Sequence, residues 1–239
     1  VSYIIFGSKE VYLGGLYLFR IFAYVSFFIL AWNLSKRNGF SKIIFNSAFL
    51  LVIALTYSRA GYLALIGGSF VIFFLIIKNL KRFLLFTFFF LLIIVFLPRR
   101  GGEGVKLERT ASVILRIEDY QDTLTIFKKS PLFGVGYNNM CFAREKYLGE
   151  INLDSHACSG SASSLLLVLA TTGIVGFLMF LVLIYKLIPN LDKNIYGFVF
   201  LSCLVALLIH SLFVNSLFYP WVMGWMGLLL AISLKSSKE

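Results

Sequence analysis

Long apolar blocks alternate with short polar segments along this chain, and a single long polar run interrupts the alternation. Blocks such as Leu16–Leu34 and Leu165–Tyr185 are predominantly apolar over about 20 residues, the length that an α-helix needs to cross a hydrocarbon core about 30 Å thick. The polar run, hereafter the polar segment, extends from Arg99 to Ser163. The pattern predicts an all-α, polytopic membrane protein in which this segment forms one long helical loop at a membrane surface.

The apolar block from Ile43 to Ile77 is too long for one crossing, because a helix of that length would extend about 50 Å. We expect the chain to fold back at Ser58-Arg59. With this break, hydropathy predicts about seven spanning helices. The chain is thereby divided into membrane helices at 1–98, the polar segment at 99–163 and C-terminal membrane helices at 164–239.

Orientation follows from the basic residues, which cluster in alternate short loops. Short loops rich in Lys and Arg stay in the cytoplasm, so Ser58-Arg59, the polar segment and the Asn215–Pro220 turn are expected together on the outer face of the cytoplasmic membrane. The basic loops are Lys36, Arg37 and Lys42; Lys78, Lys81 and Arg82; Lys186 and Lys193; and Lys235 and Lys238.

Composition indicates a membrane protein with the lipid bilayer as its partner, and it gives no reason to expect a nucleic-acid partner. Hydrophobic residues make up 59% of the chain and charged residues 14%, against roughly 45–50% and 25% in soluble domains. Much of the net charge of +11 lies in the loops that set orientation, so no nucleic-acid partner is needed to explain it. Because the chain begins at Val1 without a signal-peptide pattern, we expect it to be the C-terminal part of a longer protein.

An amphipathic helix is predicted within the polar segment, from about Thr110 to its end at Ser130-Pro131. At about 100° per residue, Arg109 and Arg116 fall together at one edge of its apolar stripe, so two guanidinium groups are expected to border the buried face. The stripe recurs at helical spacing and comprises Val113, Ile117, Tyr120, Leu124 and Phe127.

Arginines supply the first candidates for chemistry, since a planar guanidinium binds phosphate oxygens in pairs. Arg59 lies in a tight outer hairpin, where the positive-inside distribution of basic residues makes an arginine unexpected. Its charge costs free energy in apolar surroundings unless it has a partner. The alternative is an interfacial arginine whose side chain snorkels to water. Arg116 and Arg109 lie beside the membrane, where a lipid-linked phosphate would be. Their alternative is a salt bridge on a solvated face, for Arg116 with Asp119 or Glu118.

The remaining candidates are weaker. His156 lies in a small polar stretch where a neutral imidazole can act as a general base with Asp154 nearby, although a lone loop histidine often has no such role. His210 is expected to be a packing hydrogen-bonder within a helix, and the glycines of Pro131–Tyr137 are either a plain turn or a place of close ligand approach. Isolated histidines and scattered carboxylates lack metal-ligand spacing, so no metal or other cofactor is expected.

Cysteine usage leaves one question open. Cys141 and Cys158 both lie in the polar segment, and they form a disulfide only if that segment is in an oxidising compartment. Cys203 lies inside an apolar block, and the spacing of the three gives no CxxC pair.

Three stretches resemble, in order, the signature regions of the O-antigen ligase/polymerase superfamily. They are Thr56-Tyr-Ser-Arg-Ala-Gly-Tyr62; Arg116-Ile-Glu-Asp-Tyr120 continuing to Lys129-Ser-Pro-Leu-Phe-Gly-Val-Gly136; and Ser163-Ser-Leu-Leu-Leu-Val-Leu-Ala-Thr-Thr-Gly-Ile-Val-Gly176. The resemblance covers the chain from about Leu16 to Leu234. It implies a membrane glycosyltransferase that moves a glycan from an undecaprenyl-pyrophosphate carrier to an acceptor glycan or glycolipid hydroxyl, without a metal or a nucleotide sugar.

Carried over by position, the resemblance implies that Arg59 and Arg116 bind pyrophosphate and that a histidine takes the acceptor proton. This chain departs from the pattern there, because the family's histidine stands about eleven residues before the glycine equivalent to Gly173, a position occupied here by Ala162. His156 lies six residues earlier. The alternative to an enzyme is a polysaccharide or small-molecule transporter, whose polar residues should lie near the midplane of its spans.

Overall fold

A computed structural model describes residues 50–51, 53–97, 107, 110–149 and 160–234. Within these ranges the chain is mostly helical and forms no strand, with one isolated bridge between Leu191 and Leu234, which confirms the all-α class there. The helices are α1 (Arg59–Ile72), α2 (Leu80–Phe96), α3 (Ala111–Lys129), α4 (Met140–Leu148), α5 (Ser164–Leu187), α6 (Ile195–Phe213) and α7 (Pro220–Ser233).

The described residues form two compact units, each treated by itself below. The first unit contains the described residues up to 107 together with 191–210 and 220–234, and the second contains 110–190 and 211–219. The three-part division at 98 and 163 remains a prediction.

Three helical stretches in the described part of the chain are long and apolar enough to cross a membrane: Arg59–Ile77, Ser164–Asn190 and Ile195–Phe213. The first of these is α1 extended by a π-helical turn, Phe73–Ile77, and the second is α5 extended by a 3-10 turn. Helix α7 is apolar but shorter, at 14 residues. The predicted span Leu16–Leu34 lies outside the described residues, so the count of seven remains a prediction.

The predicted break near Ser58-Arg59 is confirmed. Helical backbone ends at Ala54, and α1 begins at Arg59 with Ser58 as its N-cap, whose hydroxyl accepts a hydrogen bond from the Gly61 N–H. A serine hydroxyl there satisfies one of the first-turn amides that no helical carbonyl reaches. The Tyr62 hydroxyl donates to the Ala54 carbonyl across the turn, which fixes the position of Arg59.

Helix α5 is interrupted at Gly173, where φ is +68° and ψ is −172°, a break that the apolar pattern did not predict. The turn segment Pro131–Gly136 fits into the interruption through four backbone hydrogen bonds. The N–H groups of Val135 and Gly136 donate to Ala170 (3.0 Å) and Thr171 (2.9 Å), and those of Ile174 and Val175 donate to Pro131 (2.9 Å) and Leu132 (3.3 Å). In an uninterrupted helix these four α5 groups would pair with one another, so the inserted turn satisfies them.

This insertion explains the glycines of the turn. Gly134 has φ +70°, and a Cβ there would lie 2.3 Å from the Thr171 carbonyl carbon. From the sequence, this motif was either a plain turn or a place of close ligand approach. In the structure the turn makes its close approach to the backbone of α5. Because the turn follows directly on α3, it fixes the C-terminal end of α3 against α5.

Helix α3 has the predicted bounds, Ala111–Lys129, but the prediction of its buried face was wrong. Val113 is 40% exposed and Ile117 49%, whereas Thr123 and Ile126 are 1% and 0% exposed. The buried face is set by long-range partners: Ile126 packs with Met140, Ala143 and Ala170 in one cluster, and a polar contact described below holds the same side.

Candidate functional site

Asp119 is the centre of the candidate site, which lies wholly in the second unit. Its Oδ1 accepts a hydrogen bond from Arg144 Nη2 at 2.5 Å. Its Oδ2 accepts from the Ser161 hydroxyl at 2.9 Å and from the Ala162 N–H at 2.7 Å. One carboxylate therefore joins α3, α4 and the segment that leads into α5.

Arg144 is the buried cation of this site, with a side chain only 3% exposed. Its second terminal nitrogen, Nη1, lies 3.1 Å from Asp122 Oδ2. An arginine is costly to bury unless it is paired and hydrogen-bonded, and here it faces two carboxylates spaced three residues apart on α3. The guanidinium fork suits this arrangement because it presents several donors in one plane.

Sequence reasoning missed Arg144 and treated Asp119 only as a possible partner for Arg116. A signal existed: Asp119, Asp122, Thr123 and Ile126 stand at i, i+3, i+4 and i+7, which is one face of a helix. A search for apolar stripes passes over this face because two of its positions are carboxylates.

The start of α5 is tied to the turn that follows α6. The Ser164 hydroxyl oxygen accepts from the N–H groups of Ser216 (2.8 Å) and Leu217 (3.0 Å), and the Ser163 hydroxyl donates to the Ser211 carbonyl (3.0 Å). Both serines are almost fully buried. Topology predicts the start of α5 and the Asn215–Pro220 turn on one side of the membrane, and these contacts are consistent with that arrangement.

Helix α3 also contacts the C-terminal end of α6, because the Tyr120 hydroxyl donates to the Leu212 carbonyl at 2.9 Å. Burial raises the pKa of the Tyr120 hydroxyl, the Arg116 guanidinium opposes the rise and the Asp119 carboxylate adds to it. The hydroxyl therefore stays protonated, and remains a donor, at neutral pH. Arg116 is partly exposed and stands one turn before Asp119 and Tyr120 on α3, the spacing at which helix residues are neighbours.

The other predicted site residues fall elsewhere. Arg59 is the first residue of α1, in the first unit, and is partly exposed. His156 and Arg109 lie outside the described residues. The convergence of Arg59, Arg116 and His156 at one site therefore remains a prediction.

Ala162 marks the position where the resemblance expects a histidine. Its N–H is bound by Asp119, and the next residue, Ser163, caps α5 by accepting from the Leu166 N–H at 3.3 Å. The backbone of this position is thus fixed at the candidate site, although its side chain carries no base.

Two of the three cysteines lie within the described residues. Cys141 is disulfide-bonded and Cys203 is a buried free thiol; Cys158 lies outside the described residues, so the Cys141–Cys158 pairing remains a prediction. The described ranges contain no group of three or more His, Cys, Asp or Glu side chains arranged to hold a metal ion.

Comparison with known proteins assigns the family. No curated protein matches the chain. Residues 44–181 match the family Wzy_C, described as O-antigen ligase, and this range includes Arg59, Arg116, the Asp119–Arg144 pair and the Gly173 break. Since the match covers more than half of the chain, this protein belongs to the O-antigen ligase family.

Proposed function

We propose that this protein transfers a glycan from an undecaprenyl-pyrophosphate carrier to an acceptor hydroxyl on the outer face of the cytoplasmic membrane. Family membership gives the general activity, ligation or polymerisation of O-antigen-type glycans. The observation that carries the finer proposal is the position of Arg116 on α3, one turn before Tyr120 and before Asp119, whose carboxylate binds the buried Arg144.

Arg116 is the proposed pyrophosphate ligand of this corner. A guanidinium presents paired donors that suit phosphate oxygens, and Arg116 is partly exposed, which leaves it accessible from the surface. A guanidinium stabilises the negative charge that grows on a departing diphosphate more than the charge of the bound substrate, which is what accelerates the reaction.

Arg59 is the proposed second ligand. It stands at the first position of α1, which together with its π-helical turn runs for 19 residues to Ile77. The N-terminus of a helix carries partial positive charge and attracts phosphate groups. A guanidinium at that end adds a full charge in the same place. Arg109, seven residues before Arg116 in the sequence, is proposed as a supporting ligand.

His156 is the proposed base. In this scheme the acceptor hydroxyl oxygen attacks the anomeric carbon, the bond from that carbon to the pyrophosphate oxygen breaks with its electron pair, and the imidazole takes the hydroxyl proton. Asp119 supports the scheme by anchoring residues 161 and 162, a few residues beyond the histidine. The carrier supplies an activated glycan and the arginines supply the counter-charge for the leaving diphosphate, so we propose that neither a metal nor a nucleotide sugar takes part.

Alanine substitution of Arg59 and of Arg116 tests the proposal. Each variant is expected to lose transfer by about 10²–10³-fold, the range for removing one donor to transition-state charge, because the leaving diphosphate loses one cation. The measurement is the yield of transferred glycan from a lipid-linked donor by the protein reconstituted in vesicles. Lys128→Ala, an exposed cation near the end of α3, is the matched control and should transfer normally. Normal transfer by both arginine variants would defeat the assignment, and wild-type vesicles that move the donor without transferring it would favour a transporter.

The outer placement of the second unit is a separate prediction, supported by the disulfide-bonded Cys141 because disulfides persist in oxidising compartments. In right-side-out membrane vesicles, Lys129→Cys is expected to react with a membrane-impermeant maleimide, whereas Lys186→Cys at the far end of α5 is not. Both lysines are exposed, so protein burial affects them equally. Labelling of Lys186→Cys but not of Lys129→Cys would reverse the proposed topology.

A further inference from the structure

The turn between α1 and α2 carries an apolar cavity that the proposed function does not use. The cavity has a volume of about 420 Å³, within the roughly 300–1,000 Å³ range of small-molecule sites, and lies within the first unit. Its walls include four phenylalanines, and Lys78 and Asn79 stand at its polar side. Some of this apolar surface is uncovered, since Phe74 is 65% and Leu80 61% exposed. The phenylalanines are Phe70, Phe73, Phe74 and Phe83.

The backbone around the cavity is unusual in two ways. The last turn of the spanning helix, Phe73–Ile77, is π-helical, a rare form that is frequent at functional sites. Lys78 follows with φ +53° and ψ +36°, a left-handed conformation that is uncommon for residues other than glycine and asparagine. Together these features end α1 abruptly and allow α2 to begin at Leu80, with Asn79 as its cap accepting from the Arg82 N–H at 3.0 Å.

A basic cluster adjoins the cavity. Lys78, Lys81 and Arg82 are all exposed, and the sequence has no acidic residue between Glu10 and Glu103. The α1–α2 turn and its flanking helices therefore carry only positive charge. Three cations next to an aromatic-lined cavity fit a ligand with an anionic head and a hydrocarbon tail.

We propose that this site binds an anionic phospholipid, with its phosphate at Lys78 and the adjacent cations and part of an acyl chain in the phenylalanine-lined cavity. Arg59 begins a 19-residue span and Lys78 directly follows its last residue. The two are about 28 Å apart at the usual helical rise, which is close to the thickness of the bilayer core. The phospholipid is therefore held in the leaflet opposite the proposed transfer site, and a basic loop attracts anionic lipids of the cytoplasmic leaflet. This placement separates it from the pyrophosphate carrier.

Native mass spectrometry of the full chain released from nanodiscs tests the site. The nanodiscs contain equal amounts of phosphatidylglycerol and phosphatidylcholine, and the retained lipid is identified by mass. The wild-type chain is expected to retain phosphatidylglycerol preferentially. Lys78→Asn, which removes the charge while tolerating the left-handed backbone, should weaken phosphatidylglycerol binding about fivefold, as expected for one cation near a membrane surface. Phe74→Ala should weaken the binding of both lipids.

Two substitutions serve as controls. Lys186→Asn removes an exposed lysine at the end of another span, and Phe88→Ala removes a phenylalanine that is 59% exposed on α2 but does not line the cavity; both should retain phosphatidylglycerol as the wild type does. Equal retention of the two lipids by the wild type, or an unchanged affinity in Lys78→Asn, would overturn the proposal. Displacement of phosphatidylglycerol by an equimolar polyprenyl phosphate would instead make the carrier lipid the occupant. Loss of glycan transfer in the Arg59 and Arg116 variants is independent of every one of these outcomes.

Discussion

Gly173→Ala is expected to prevent the second unit from folding. A Cβ at this position would lie 2.2 Å from the Leu132 carbonyl oxygen and 2.5 Å from the Phe133 nitrogen, distances at which backbone must move. The residue also holds φ +68° with ψ −172°, a region that is essentially restricted to glycine and that costs another residue about 1–3 kcal/mol before any collision. Moving the turn away would break the four backbone bonds that join it to α5, so the total should exceed about 4 kcal/mol, the exceptional range for single substitutions.

Alanine substitutions at other glycines separate the cost of steric collision from the cost of backbone strain. Gly134→Ala should be as severe as Gly173→Ala, because its Cβ meets the Thr171 carbonyl from the opposite side. Gly149 has φ +73° with nothing within 4 Å of a Cβ, so alanine there should cost only the strain of about 1–2 kcal/mol. Gly224 lies within α7 in open space, and alanine there should be neutral or stabilising by about 0.5–1 kcal/mol.

The measurement is the yield of monodisperse protein in detergent, followed by thermal unfolding of the variants that can be purified. A Gly173→Ala variant that unfolds at the same temperature as Gly149→Ala would show that the inserted turn does not hold α5. Arg59 lies in the first unit and this turn in the second, so the two sets of variants test different claims.

Arg144→Ala is expected to destabilise the protein by about 3 kcal/mol. Removing one partner of a buried ion pair typically costs about 3–5 kcal/mol, because the other charge is left uncompensated. The lower end applies here, since Asp119 keeps its bonds from Ser161 and Ala162 and the Asp122 side chain is 33% exposed. Transfer activity should fall as well, because the segment leading into α5 is held by the same carboxylate.

Lys146→Ala is the matched control, an exposed cation on the same short helix that lies 5.3 Å from the Tyr147 ring. It should change the free energy of unfolding by less than about 0.5 kcal/mol, as surface substitutions usually do. The double variant Arg144→Ala with Asp119→Ala should be less unstable than the sum of the two single variants, since the two side chains contact each other. Additive losses, or an Arg144→Ala variant as stable as Lys146→Ala, would remove the pair from its central role.

Local features of the chain were predictable because their causes are local. The break before Arg59 follows from an apolar block that exceeds the bilayer thickness, with a serine placed to cap the next helix. The bounds of α3 follow from helical periodicity and from the Ser130-Pro131 stop. The order of the three motifs was also enough to indicate the family, which the family match over residues 44–181 confirms.

Tertiary structure decided what depends on partners far along the chain. Hydropathy gives the period of α3 but not which of its faces is buried. The buried face was set by the contact of Asp119 with Arg144, 25 residues further along the chain. The break in α5 arises because a turn some 40 residues earlier supplies the backbone partners for the groups that the non-helical Gly173 leaves unpaired within the helix. The sequence by itself determined the membrane class, the break before α1 and the bounds of α3, since burial of apolar length and local start and stop signals suffice for these, but it did not predict α4. Which side chains meet at the candidate site was decided only by folding, since pairing energies depend on proximity that the linear order of residues does not contain.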